Sequence, residues 1–184
     1  MKVPNLKILD EKNKTLRQIS KDATFPLTEK DLQTINDAIT YLELSQDEEI
    51  AEKNNLRAGM GLAFIQLGIP KRIFVIANKN EEDNTFEEHI IINPEITSQS
   101  EELIYVGEGE GCLSINRPTC GIVPRHARIR VNYYDINGNP QSIRVREEIA
   151  VAFHHEIDHL NGILFVDKID PKNPYKNKEL MREI

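Results

Sequence analysis

The chain has 184 residues, 39% hydrophobic and 29% charged, which is the balance of an ordinary globular protein. A formal net charge of −7 argues against a nucleic-acid binder held by overall charge, so any such partner would require a local basic patch. No run approaches the ~20 apolar residues of a membrane span, and Met1 to Asp10 carries charges where a signal peptide would be apolar. One domain over residues 1–184 is therefore expected, cytoplasmic and without membrane partners. Cys112 and Cys120 could pair, but a reducing compartment disfavours it.

From Leu6 to Phe25 no periodicity stands out, and an irregular lead-in anchored by Leu16 and Ile19 is expected. Thr28 followed by Asp31 resembles a capping box, and Leu32, Ile35, Ile39 and Leu42 recur at helical spacing, which predicts a helix from about Thr28 to Ile50. Its acidic side, with Glu43, Asp47, Glu48 and Glu49, reads as a solvated face. Residues 59–66, G-M-G-L-A-F-I-Q, place two glycines before an apolar run. The third glycine of a dinucleotide fingerprint is missing, so the pair is better read as allowing close approach of a ligand backbone. Ile73 to Ala77, His89 to Asn93 (stopped by Pro94) and Leu103 to Val106 read as strands. The glycine-rich G-E-G-E-G-C-L-S of residues 107–114 then delivers Cys112 on a specially shaped backbone. Arg128 to Asp135 and Gln141 to Arg146 alternate as strands and join through Asn137-Gly138, a hairpin signal, while Ile163 to Ile169 reads as a closing strand.

The chemistry concentrates in F-H-H-E-I-D-H-L-N-G, residues 153–162. On a helix, His155 and His159 return to one face and can address one metal ion, with Glu156 alongside as proton carrier. Ile149, Val151, Ala152, Phe153, Ile157 and Leu160 make the helix apolar, and a buried helix needs a reason for its polar residues because unpaired buried charge is costly. A hydrolytic site wants a third protein ligand. Glu179 would complete a zinc endopeptidase, but Pro171 and Pro174 make a returning helix awkward, and no histidine follows His159. Cys112 remains as a soft thiolate donor.

G-M-G-L-A-F-I-Q, E-G-C-L-S and H-E-I-D-H-L-N-G stand in the order and at the spacings of the three motifs of peptide deformylases, and from about Gly59 to Ile169 the chain resembles that family. The wording is closest to its longer, Gram-positive-like type. The resemblance implies an α+β fold with mixed and antiparallel sheets packed around a central helix carrying the H-E-x-x-H motif. It implies a divalent ion, iron(II) in the first place with zinc, nickel or cobalt as substitutes, held by Cys112, His155 and His159. Glu156 would be the general acid and base, and Gln66 with the Leu113 N–H would stabilise the oxyanion. The substrate would be an N-formylmethionyl nascent peptide, with the ribosome as a candidate partner. Gly59, Met60, Gly61 and Gly111 would meet the peptide, and Val151 and Ala152, one turn before His155, would floor a methionine pocket. Asp158 is expected to pair with Arg125 through two parallel hydrogen bonds. Phe64, Ile65 and His154 replace residues usual in the family, so altered bulk near the pocket is expected from Phe64. The rivals are the endopeptidase using Glu179 and an inactive metal-binding homologue.

Overall fold

A computed structural model describes residues 2–184. The lead-in is irregular apart from a 3-10 turn at Lys14–Arg17. Leu16 is fully buried there, whereas Ile19 is 72% exposed and anchors nothing. Helix α1 (Glu29–Ser45) opens with the expected box: Thr28 Oγ1 accepts from the Asp31 N–H, and an Asp31 carboxylate oxygen accepts from the Thr28 N–H. The expected single helix to Ile50 is in fact two. Asp47 is extended and caps a new helix, α2 (Glu48–Asn54), by accepting from the Ile50 N–H. Periodicity cannot register such a break, but an aspartate before two glutamates is an N-cap signal that could have done so.

Strands β1 (Gly61–Ala63), β2 (Ile73–Lys79), β3 (Phe86–Gln99), β6 (Arg128–Tyr134) and β7 (Pro140–Arg146) form one antiparallel sheet in the order β1-β2-β3-β6-β7. Pro94 does not end β3. The strand runs through it by way of a register shift, with Asn93 in a left-handed conformation (φ 51°), where a missing proline N–H is tolerated. The β6–β7 turn carries Gly138 at φ 81°, as the Asn-Gly pair predicts. Strands β4 (Leu103–Tyr105), β5 (Arg125–His126) and β8 (Arg182–Glu183) make a second sheet, β5 antiparallel and β8 parallel to β4. β8 has no apolar pattern and was not foreseeable. The segment expected as a closing strand is a 3-10 turn, Phe165–Lys168, and the N–H of Leu164 just before it donates to an Asp167 carboxylate oxygen at 2.9 Å.

Helix α3 (Glu147–Leu160) carries the H-E-x-x-H residues. The large sheet has two buried faces. Ile35, Ala38 and Leu42 of α1 pack on Ile73, Val75 and Ile92 on one side. On the other, Phe153, Ile157 and Leu160 of α3 pack on Phe74, Ile76, Ile91, Val131 and Val145. The alternating rows of β2 thus serve both cores, which is why the strand reads as a continuous apolar run. No helix among the described residues is long and apolar enough to cross a membrane.

Candidate metal centre

His155 and His159 lie one turn apart on the buried face of α3, and their Nε2 atoms approach to 3.2 Å. Cys112 Sγ stands 3.3 Å from His159 Nε2, and the three donor atoms all lie within 4.8 Å of one another. Glu179, the other ligand considered, is exposed in a 3-10 turn at Lys178–Leu180. The donor set fits a cation. Glu110 Oε2 accepts from His155 Nδ1 at 2.9 Å, which directs that ring's Nε2 lone pair inward. Burial pushes His155 down, yet its hydrogen bonds to Cys112 and Glu110 outweigh this and hold it well above an ordinary histidine, whereas burial drives His159 well below. The pull that holds His155 up, from the Cys112 sulfur and the Glu110 carboxylate on either side of its ring, is one that a metal ion facing the two ring nitrogens and the sulfur would meet for the same electrostatic reason.

Glu156 lies beside this triad, and burial raises its carboxyl to about 7. Its Oε2 has no hydrogen-bond partner among the described residues. It reaches this position because Gly61 has no side chain: a Cβ there would stand 2.4 Å from Glu156 Oε1. Gln66 is held by its own carbonyl, with Oε1 accepting from the Ala63 N–H at 2.9 Å. Its amide nitrogen is therefore turned toward Ser114 Oγ (3.1 Å) and Cys112 Sγ (3.7 Å). The Leu113 N–H finds no acceptor among the described residues.

Cys112, His155, Glu156, Gln66 and Leu113 line a cleft of about 440 Å³, as do Gly59, Met60, Gly61, Gly111, Val151 and Ala152. β1 is an edge strand, paired only with β2. Open space surrounds the position a Gly111 Cβ would take, so that glycine answers to no neighbour in the protein. Phe64 does not alter the cleft as expected. It is fully buried in the α1 core, and Ile65 is in the α3 core, because the 3-10 turn at Phe64–Leu67 sends them to opposite sides of the sheet. His154 points away from the triad toward His126, with ring centroids 5.9 Å apart.

The support of the site differs from expectation in one respect. Arg125 is 2% exposed and does reach Asp158, at 2.6 Å, but through a single bond. Its two parallel bonds go to Glu110, at 2.7 and 2.9 Å, and Lys168 takes the second Asp158 oxygen at 3.2 Å. With His155 and Arg125 both bonded to it, Glu110 is held down at about 2 in spite of its burial. Sequence reasoning missed this role because two glutamates stand in the glycine-rich loop and nothing distinguishes them. It also missed Arg57, whose guanidinium donates to the carbonyls of Cys112, Leu113 and Ile115 at 2.9–3.0 Å and to the Asn116 side chain. Carbonyl acceptors leave no sequence signature.

An α+β fold with a Cys-His-His triad and a buried glutamate on an H-E-x-x-H helix defines a single-metal hydrolytic class. The family model for polypeptide deformylase matches residues 5–175. A peptide deformylase of Ligilactobacillus salivarius is 45% identical over 169 residues, covering 91% of each chain. One from Enterococcus faecalis is 42% identical, covering 94% of each. Among solved structures, a peptide deformylase from Thermotoga maritima has a TM-score of 0.70 at 31% identity, covering 90% of this chain and 98% of that one. A Met-Ala-Ser-bound deformylase from Acinetobacter baumannii has a TM-score of 0.69 at 27% identity, covering 89% and 98%. The chain belongs to the polypeptide deformylase family.

Proposed function

We propose that the chain hydrolyses the N-formyl group from the N-terminal methionine of newly made peptides, releasing formate and a free amine. The observation that carries this reading is the convergence of Cys112, His155 and His159 beside a buried Glu156 with a carboxyl near 7. An ion held by those three residues would supply Lewis acidity, making a water more acidic and polarising the formyl oxygen. Iron(II) is the ion we assign, with zinc, nickel or cobalt as substitutes, since one thiolate and two imidazoles suit all four.

The chain's own groups do the rest. Glu156 takes the proton of the attacking water on a carboxylate oxygen and returns it to the amine as the C–N bond breaks, and a carboxyl near 7 can do both at neutral pH. Gln66 Nε2 and the Leu113 N–H donate to the formyl oxygen as it gains charge, and Gln66 is already oriented by Ala63. The free edge of β1 and the space at Gly111 receive the extended peptide, so that main chain is read and later side chains are loosely specified. Met60, Val151 and Ala152 line the methionine side chain's place. In this reading the protein works as one domain in the cytoplasm, on peptides presented by ribosomes.

The test is Glu156→Gln, prepared anaerobically and assayed on formyl-Met-Ala-Ser with metal analysis of the same sample. Retained metal with activity lowered by roughly 10²–10⁴-fold is expected, the usual contribution of a positioned acid-base group. Metal loss in that variant would overturn the role of Glu156. Cys112→Ala should empty the site while Cys120→Ser, an exposed thiol beside Tyr175, should not; equal metal loss would mean the third ligand is misassigned.

A further inference from the structure

The large sheet is covered unequally. α1 covers β1, β2 and Ile92 of β3 on its own side, and Phe25 of the lead-in lies against Tyr134 at the hairpin end of β6, but the other end of that face of β6 and β7 is exposed or half-buried. Four arginines stand on it. Arg128 is directly opposite Arg146 and Arg130 directly opposite Arg144, so the register stacks two like-charged cross-strand pairs in adjacent rows. Like charges in that position destabilise a sheet, and in a chain of net charge −7 nothing general demands them. Arg128 is held by Glu102 at 2.7 Å, but Arg130, Arg144 and Arg146 have no carboxylate partner among the described residues. Glu95 stands on the same face a row beyond them, opposite Asn132, and Glu147 is occupied by Arg182. A shallow groove of about 470 Å³ runs between these arginines and Ser98 and Ser100 of the β3 end.

We propose that this face is a docking surface for the phosphate backbone of RNA. Arginines two apart on a strand are roughly 6.6 Å apart and those on paired strands about 5 Å, a rigid grid of planar donors suited to successive phosphates. The Ser98 hydroxyl, opposite Arg130, is a further donor of the kind that such backbones attract, whereas Ser100 Oγ already donates to the Glu102 carbonyl. A lipid surface suits the face less, because the exposed apolar residues nearby, Tyr134 and Ile136, lie at the far end of the hairpin from the arginines. Protection of a sheet edge by charge explains Arg144 and Arg146 on the outer strand, but not Arg128 and Arg130 on the strand inside it. The choice of RNA over DNA rests on the proposed function, since nascent peptides are presented by an RNA-rich particle. The phosphate chemistry itself does not depend on that reading.

The experiment uses the metal-loaded protein and a labelled RNA hairpin, with affinity followed by anisotropy across salt. Three free guanidiniums predict a log-log salt slope of about −2 to −3. Arg130→Ala/Arg144→Ala should flatten the slope by nearly two and weaken binding about tenfold at low salt. Lys30→Ala/Lys53→Ala, which removes the same charge from α1 and α2, should leave the slope unchanged. Deformylation of free formyl-Met-Ala-Ser should be equal in all three proteins, so a failed RNA result is separable from a failed activity. Should the double variant not fold, Arg146→Gln alone should flatten the slope by about one. Absence of binding at about 50 mM salt overturns the proposal. So does equal loss in the lysine control, binding to anionic vesicles but not RNA, or a double variant that aggregates while its RNA affinity stays unchanged.

Discussion

The two faces of the large sheet are packed by different chemistry. On the α1 side the contact is apolar, with Ile35, Ala38 and Leu42 against Ile73 and Val75, and polar groups serve the ends of the helix. On the α3 side the same kind of apolar contact holds one flank, while the other buries His155, Glu156, Asp158 and His159. A hydrophobic flank tolerates approximate partners, but a buried ionic flank requires each charge to find its opposite. α1 therefore supplies chiefly stability, touching the cleft through its last residue, Ser45, whose hydroxyl accepts from the Gly59 N–H, and α3 supplies stability through a network that also aims the metal donors.

The largest effect should come from removing the hub of that network. Arg125→Ala leaves Glu110 buried without its two parallel bonds and Asp158 with Lys168 alone, and should destabilise by about 3–5 kcal/mol. Metal content should fall with it, because Glu110 also orients His155. Urea unfolding and metal analysis on one preparation would check both, and unchanged melting would remove the hub role. Glu110 adds a pH signature to the metal-free protein. Its folded value of about 2 lies below the ordinary 4.5, so its stabilisation is complete above 4.5 and is lost as pH falls from there toward 2. Glu110→Gln should flatten the stability profile over that interval.

The same contrast governs how much the sequence could disclose. Ile35, Ile39 and Leu42 announce α1 by spacing, and Thr28 with Asp31 announces its start, because these signals are local. The triad was legible for a different reason, namely that the chemistry restricts residue type and order at Cys112, His155 and His159. Glu110 bonding Arg125, Arg57 bonding three carbonyls and β8 joining β4 were not legible, since each partner is more than ten residues away and the choice is made by packing. Pro94 and the Asp47 break misled for the opposite reason: a local rule was applied where a bulge or a new cap had overridden it.

A middle effect should follow from Leu42→Ala on α1. The side chain is fully buried in the α1 core, so a cavity is left and about 3 kcal/mol should be lost. Activity per folded molecule and metal content should stay at the parent level, which is where this side departs from Arg125→Ala. Metal loss proportional to the lost stability would mean that both sides of the sheet position the site.

The smallest effect is expected at Asp31, where α1 does contain a buried carboxylate. It differs from Glu110 in being a terminal fixture: its oxygens accept from the Thr28 N–H at 3.2 Å and from Lys71 Nζ at 2.7 Å, at the helix start where the dipole favours a negative group. Asp31→Asn keeps the shape and can still accept from Thr28, so the loss is confined to the ionic part and should be about 1 kcal/mol. Burial alone would raise the Asp31 carboxyl, but Lys71 and Thr28 together lower it below the ordinary 3.8. Its stabilisation is thus present above 3.8 and disappears as pH falls through the lower folded value. Parent and Asp31→Asn should differ in melting temperature at pH 7 and converge in strong acid, with metal content the same in both. A difference that persisted below that folded value would show that the carboxylate's charge is not what stabilises the helix start, and that the contrast between the two helices lies in packing rather than in how each uses its buried acid.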